Sequence, residues 1–108
     1  MQLKVLFHGV PVEGTEAQLS AGPAAGQVWV VSAVYLCNTA DEMARVTLSH
    51  RISGANRPLL QNAEIPPGHT IALGPLVVET GQSIWAAQET ANAVQVVAYG
   101  FEDEVDGA

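Results

Sequence analysis

The apolar and polar positions of this chain follow the short periods of β-strands. A nearly unbroken apolar run, Val28-Trp-Val-Val-Ser-Ala-Val-Tyr-Leu-Cys37, precedes the polar turn Asn38-Thr-Ala-Asp-Glu42. The next segment, Arg45-Val-Thr-Leu-Ser-His-Arg-Ile52, alternates strictly. A short continuous apolar run indicates a strand buried on both faces, whereas alternation indicates a strand buried on one face. The pattern therefore predicts an antiparallel hairpin packed beneath a second layer.

The rest of the chain repeats this alternation between turn signals. A first strand is predicted near the N-terminus, with Leu3, Val5 and Phe7 on one face, and a short edge strand at 15–20. A turn is predicted at 53–58, where glycine and proline are common. Further strands are predicted at 59–63, 83–88 and 94–101, and residues 69–73 and 76–79 are predicted to form either two short strands or one bent strand. In the last of these, Val94 and Val96 share one face with Ala98.

These elements predict an all-β fold without a helix. Seven to nine short antiparallel strands are typical of a β-sandwich, here jelly-roll-like, and a small barrel is the alternative. A chain of 108 residues makes one domain, which we place at residues 1–101. Residues 102–108 are acidic and are predicted to form a solvated C-terminal tail.

The composition excludes several classes of partner. The formal net charge is −7, with four basic residues against eleven acidic ones, so the chain lacks the cationic patch that nucleic acids or anionic membranes require. Charged residues make up 14% of the chain, below the usual ~25%, which favours a surface partly covered by another chain. No signal peptide is predicted, so we expect synthesis in the cytosol.

No metal or cofactor site is predicted from the spacing of the candidate ligands. His8, His50 and His69 lie far apart in sequence, and Cys37 is the one cysteine. Neither a His-x-His pair nor a Cys-x-x-Cys pair occurs. His50 falls in phase with the apolar side of its strand, which predicts a buried and hydrogen-bonded ring. Cys37 is expected to pack as a small hydrophobic residue.

No catalytic motif is present either, and we expect a protein that is not an enzyme. There is no Gly-x-Ser-x-Gly elbow and no glycine-rich phosphate loop. The adjacent acids Asp41 and Glu42 lie in a predicted turn, where neighbouring carboxylates rarely converge on one substrate atom. No catalytic or cofactor-binding residue is therefore assigned.

The aromatic residues admit two interpretations. Period-2 alternation places Trp29 and Tyr35 on one face of their strand, and Tyr99 on the same face as Phe101. They could fill the sandwich core, or Trp29, Trp85 or Tyr99 could form a platform that stacks on a carbohydrate. The long strand also poses a question, because both of its apolar faces need a cover and a second sheet supplies only one.

Several segments resemble a known group of proteins. They are Gly26-Gln-Val-Trp-Val-Val31, Cys37-Asn-Thr39, a Pro-Pro-Gly turn, and Gly81-Gln-Ser-Ile-Trp85 before the final strand. Together, over residues 22–102, they resemble small virion structural proteins of tailed bacteriophages, of the head decoration (cement) or neck and tail accessory type. Such proteins more often carry Gly-Asp where this chain has Gly81-Gln82, so no role that needs a carboxylate there is carried over.

The resemblance implies a β-sandwich that oligomerises in the virion and has no catalytic residues. We expect a head decoration protein that binds itself and another virion protein, such as the major capsid protein. A ring or adaptor component of the neck, collar or tail is the alternative. The expected interface draws on Trp29, Tyr35, Arg45, Arg51 and Trp85, with the two arginines available for charge pairing.

Overall fold

The computed structural model describes residues 2–105 and shows a sandwich of two five-stranded sheets. Ten strands follow one another along the chain, and no helix occurs in the described part. They are β1 (Lys4–Gly9), β2 (Val12–Glu13), β3 (Ala17–Ser20), β4 (Gln27–Asn38), β5 (Ala44–Ile52), β6 (Ala55–Ile65), β7 (Thr70–Leu73), β8 (Leu76–Glu79), β9 (Ser83–Gln88) and β10 (Val94–Glu104). The predicted all-β sandwich is confirmed.

The strand order is that of a jelly roll. Sheet A runs β1-β10-β4-β7, and β8 continues the same edge along β4. Sheet B runs β2-β9-β5-β6, with β3 also pairing β9. All pairings are antiparallel except that of β2 with β9. Each sheet thus has four strand positions, and successive positions along the chain mostly alternate between the sheets, as in an eight-position double Greek key.

The core lies between the sheets and is built from the alternating residues of the long strands. Val31, Val34 and Leu36 point inward from β4, while Val46 and Leu48 point inward from β5, and all are fully buried. The inward residues of β10 are Val94, Val96 and Ala98, as predicted. The strict alternation of β5 was therefore a reliable guide to its buried face.

Two bulges change which face a strand presents. In β4, Ala33 pairs with Tyr99 and Val31 with Gly100, so Ser32 is an extra residue. Such an insertion reverses the side-chain phase beyond it. Trp29 consequently faces the core, whereas Tyr35 faces outward, and the prediction that they share a face is wrong. A bulge in β1 likewise puts Val5 outside and Phe7 inside, so the predicted common face of Leu3, Val5 and Phe7 is wrong too.

Two strands differ in length from their predictions. The predicted turn at 53–58 contracts to Ser53 and Gly54, with φ of 52° and 79°, and β6 begins immediately afterwards. A two-residue turn of this kind favours glycine at its second position and matches the twist of a hairpin. The last strand continues to Glu104, so the first residues of the predicted tail pair with β4, while 106–108 lie outside the described residues.

Buried amides hold the loops at one end of the sandwich. The Asn38 side chain donates hydrogen bonds to the carbonyl oxygens of Glu42 (2.7 Å) and Ile65 (2.8 Å). The Gln88 amide donates to the Pro11 carbonyl oxygen (2.6 Å) and accepts from the backbone N–H of Val94 (2.7 Å). Because both amides are buried and bond backbone groups of neighbouring segments, these contacts fix the positions of the loops that they join.

Candidate interaction surface

The outer face of sheet A carries the apolar side chains that the sandwich itself leaves uncovered. Its residues, which we call the open face, come from β1, β4, β10 and the shared edge of β7 and β8: Val5, His8, Val28, Val30, Ala33, Tyr35, Cys37, Thr70, Ala72, Val77, Gln95, Val97, Tyr99 and Phe101. β4 is thus covered on one face only, and its predicted burial on both faces is wrong for the single chain.

Charge is confined to one end of the outer face of sheet A. Within the described residues, the open face as defined contains no Asp, Glu, Lys or Arg. Glu79 and Asp103 lie on the same side of the sheet at its end, where each pairs with Val28. Since solvated sheet faces ordinarily carry polar residues in alternation, an outer face with charge only at one end is a departure from that pattern.

Two tyrosines stand at the centre of the open face. Tyr35 on β4 and Tyr99 on β10 make an edge-to-face contact, with ring centroids 5.9 Å apart and planes at 68°. Their exposed fractions are 41% and 36%. Edge-to-face pairs of this kind are mutually stabilising and hold both rings in place. The pair therefore presents a pre-ordered aromatic surface with accessible ring area.

A groove of about 620 Å³ lies beside the tyrosine pair. Its polar lining comes from His8, Gln95 and Thr70, and its remaining walls include both tyrosines and the Cys37 side chain. The groove offers uncharged hydrogen-bonding groups next to aromatic rings. Such a lining is suited to another uncharged surface or to a neutral ligand, and it lacks a fixed charge for an ionic one.

The other half of the open face is aliphatic. Val30 on β4 pairs with Phe101 on one side and with Val77 on the other, forming an apolar row across the sheet. Val77 is 50% exposed and Val5, in the next row, is also exposed. Cross-strand neighbours lie close enough to form one continuous surface. The aliphatic row and the tyrosine pair are therefore parts of the same patch.

The outer face of sheet B has a different character, since its charges are paired within the chain. Arg45 lies 3.1 Å from the Glu64 carboxylate and 3.5 Å from that of Glu89. The hydrogen bond to Glu64 is the main cause of the raised pKa of Arg45. The predicted interface residue Arg45 thus already has acidic partners on its own chain.

The other predicted arginine is engaged in a similar way. The Arg51 guanidinium lies 4.5 Å from the centroid of the Trp85 ring and donates to the Asn56 side chain at 3.1 Å. The Trp85 indole N–H donates to Ser83 at 3.0 Å. Because the cation covers a face of the ring, Trp85 is not an open stacking platform. Both side chains are half-buried on sheet B, away from the open face.

Trp29 is part of the core. It is 7% exposed, stacks against Phe7, and donates its indole N–H to Glu102 at 3.0 Å. Lys4 contacts the other oxygen of the same carboxylate at 3.0 Å. The hydrogen bond from Trp29, followed by that from Lys4, lowers the pKa of Glu102. This cluster fastens β10 to β1 and β4.

Of the five predicted interface residues, the structure places one on the open face. Tyr35 joins the open face, whereas Trp29, Arg45, Arg51 and Trp85 do not. His50 is buried and its Nε2 lies 2.8 Å from the Gln82 side-chain oxygen, as a hydrogen-bonded core histidine should. The missed residues are Val30, Val77 and Gln95, whose positions depend on the bulges and on the pairing of β8.

The described part of the chain contains no cluster of candidate metal ligands. Over residues 2–105 no group of three or more His, Cys, Asp or Glu side chains could hold a metal ion. Within the same range, no helix is long and apolar enough to cross a membrane.

Comparison with protein-family models finds no match, and comparison with curated proteins finds none either.

Proposed function

We propose that this protein is a bacteriophage virion structural protein, of the head decoration type, that assembles by burying the open face. One observation carries the proposal: an uncharged, continuous apolar face with two ordered tyrosines stays exposed in the single chain. Exposed apolar patches of several hundred Å² mark protein contact sites in soluble proteins. Tyrosines are enriched among the residues that dominate such contacts.

The fold and the sequence motifs support the same proposal. Jelly rolls are a recurrent architecture of viral capsid proteins, although the same fold also serves lectins and cupins, so this support is by analogy. The segments 26–31, 37–39 and 81–85 carry the resemblance to phage virion proteins, and all lie in or beside strands of the sandwich. In particular, Val28 and Val30 of the first segment belong to the open face.

The acidic residues have a complementary role in this proposal. The net charge of −7 is carried by residues outside the open face. The acidic surface outside the open face steers the protein toward a basic region of a shell protein and docks there, while the open face supplies the apolar contact of the assembly. The shell partner is therefore expected to present a basic rim. Association with it should weaken as salt is raised, through a slower on-rate.

Within this function, the protein has an alternative position in the virion. A ring or adaptor of the neck, collar or tail would use the same kind of surface but occur in five, six or twelve copies. Cryo-electron microscopy of the parent virion tests both: decoration predicts density of this fold at capsid symmetry axes, and an adaptor predicts it at the portal or tail. Virions whose proteins do not include this chain would refute the proposal.

The groove favours a second candidate function, a carbohydrate-binding module. Tyr35, Tyr99 and Gln95 combine ring faces with uncharged hydrogen-bonding groups, which is the chemistry that neutral sugars require. A glycan array tests it, with Gln95→Ala as the groove variant and Gln61→Ala, on exposed β6, as the control. Binding that is lost only in the groove variant would support the lectin function, and an array without hits would eliminate it.

A further inference from the structure

We propose that the occupant of the open face is a second copy of this chain, packed sheet against sheet. This inference deepens the proposed function and rests on it, because it names the first partner of the same surface. It makes the sandwich of one chain half of a larger, four-layered assembly. Three observations favour a copy over a different protein.

The first observation is the distribution of charge. Two chains of net charge −7 repel each other, and this repulsion is smallest where each presents an uncharged surface. The open face is such a surface, whereas sheet B presents Arg45, Glu64 and Glu89. A basic partner would instead be expected to meet acidic residues, which this face holds only at its border, at Glu79 and Asp103.

The second observation is the size of the face. Four strand positions spaced about 4.8 Å apart span roughly 19 Å, and ten residues at about 3.3 Å each span roughly 33 Å. The face therefore measures about 600 Å², and covering it with a second copy buries about 1,200 Å² in total. That area lies at the lower end of the range for specific interfaces, so the face is large enough for a specific contact with a second copy.

The third observation is the shape of the face. A twofold contact places the same surface on both sides, so that a projecting group of one copy meets a recess of the other. The open face carries both: the exposed Tyr35 and Tyr99 rings, and the groove beside them. Inserting the partner's tyrosines there would remove ring area from water at the centre of the contact. Tyrosines in central, dry positions dominate the energy of such interfaces.

Light scattering during size-exclusion chromatography tests the inference on the full chain. We expect a mass of two or more copies for the unmodified protein, at concentrations between about 1 and 100 µM. Val77→Glu places a carboxylate on the open face, where Val77 is 50% exposed. Because the charge enters a twofold contact twice, the dissociation constant should rise about a hundredfold.

Met43→Glu is the matched control. Met43 is 52% exposed but lies in the turn between β4 and β5, away from the open face. It carries the same change of charge, so the variant should keep the mass of the unmodified protein. Since both positions are exposed in the single chain, both variants should fold, and matching far-ultraviolet circular dichroism spectra would verify this.

Two results would overturn the inference. One is an unmodified protein that stays a single copy at every concentration; the other is an oligomer that Val77→Glu leaves intact. Neither would refute the proposed function, because a single copy could still be found on the virion by microscopy. The converse is also possible: Val77→Glu breaks the oligomer, but the virion does not contain the protein. This result would support the self-contact and refute only the virion role.

Discussion

Replacing Gln88 with alanine should destabilise the fold strongly, because its buried amide bonds several backbone groups. The Gln88 oxygen accepts from the N–H groups of Val94 (2.7 Å) and Ala93 (3.1 Å), and its amide donates to the Pro11 carbonyl oxygen (2.6 Å). Ala93 keeps a longer bond to Thr90 at 3.4 Å, so the groups left without a protein partner are those of Val94 and Pro11.

The expected loss of stability follows from these two groups, which lose their hydrogen-bond partner. Each buried polar group that loses its partner costs about 1–3 kcal/mol, so the variant should lose about 2–6 kcal/mol. A domain of this size has a free energy of unfolding of about 5–15 kcal/mol. At roughly 4 °C per kcal/mol, the midpoint of thermal unfolding should fall by about 8–24 °C.

Thermal and urea unfolding, followed by circular dichroism, measure the effect. The control is Gln61→Ala, which removes the same side chain from an exposed position of β6 and should shift the midpoint by no more than about 2 °C. If Gln88→Ala behaves like this control, then the amide does not hold the loops, and the reasoning from buried hydrogen bonds fails for this site.

Two further predictions concern packing and pH. A Cβ at Gly100 would overlap the carbonyl oxygen of Val30, so Gly100→Ala should cost about 3 kcal/mol of folding stability or abolish folding. The control is Gly9→Ala, whose Cβ meets only the flexible end of one leucine and which should cost about 1 kcal/mol or less. Equal urea midpoints for the two variants would contradict this prediction. The Trp29 hydrogen bond lowers the pKa of Glu102 in the folded chain, so its stabilisation is present near neutral pH and is lost as pH falls through that lowered pKa. The unfolding midpoint of Glu102→Gln should therefore fall less than that of the unmodified protein upon acidification below about pH 5, and parallel pH profiles would argue against the linkage.

The periodicity of the sequence predicted the architecture because a sandwich needs one apolar face on each long strand. Every inward residue of β10 from Val94 to Ala98 could be assigned in this way. The two lengths that were wrong, those of β6 and β10, depended on turn geometry and on pairing with a neighbour. Neither is encoded in the apolar pattern of the strand itself.

The candidate site was harder to predict, because a bulge reverses faces without altering composition. Ser32 interrupts the apolar run, and Gly100, a glycine inside a strand, sits opposite the irregularity. Together these two residues are the signal that could have located the bulge. Without it, Trp29 and Tyr35 are predicted to share one face and both are interface candidates, whereas the structure places them on opposite faces of the sheet.

The reactivity of the Cys37 thiol tests the central claim most directly, because it reports on the open face itself. Cys37 is the one cysteine of the chain and lines the groove beside the tyrosine pair. Its alkylation rate should be measured across the concentration range in which light scattering records the mass. The account predicts that alkylation slows in step with the rising mass and that Val77→Glu restores the fast rate. A mass that rises while the alkylation rate stays constant would show that the chains meet elsewhere.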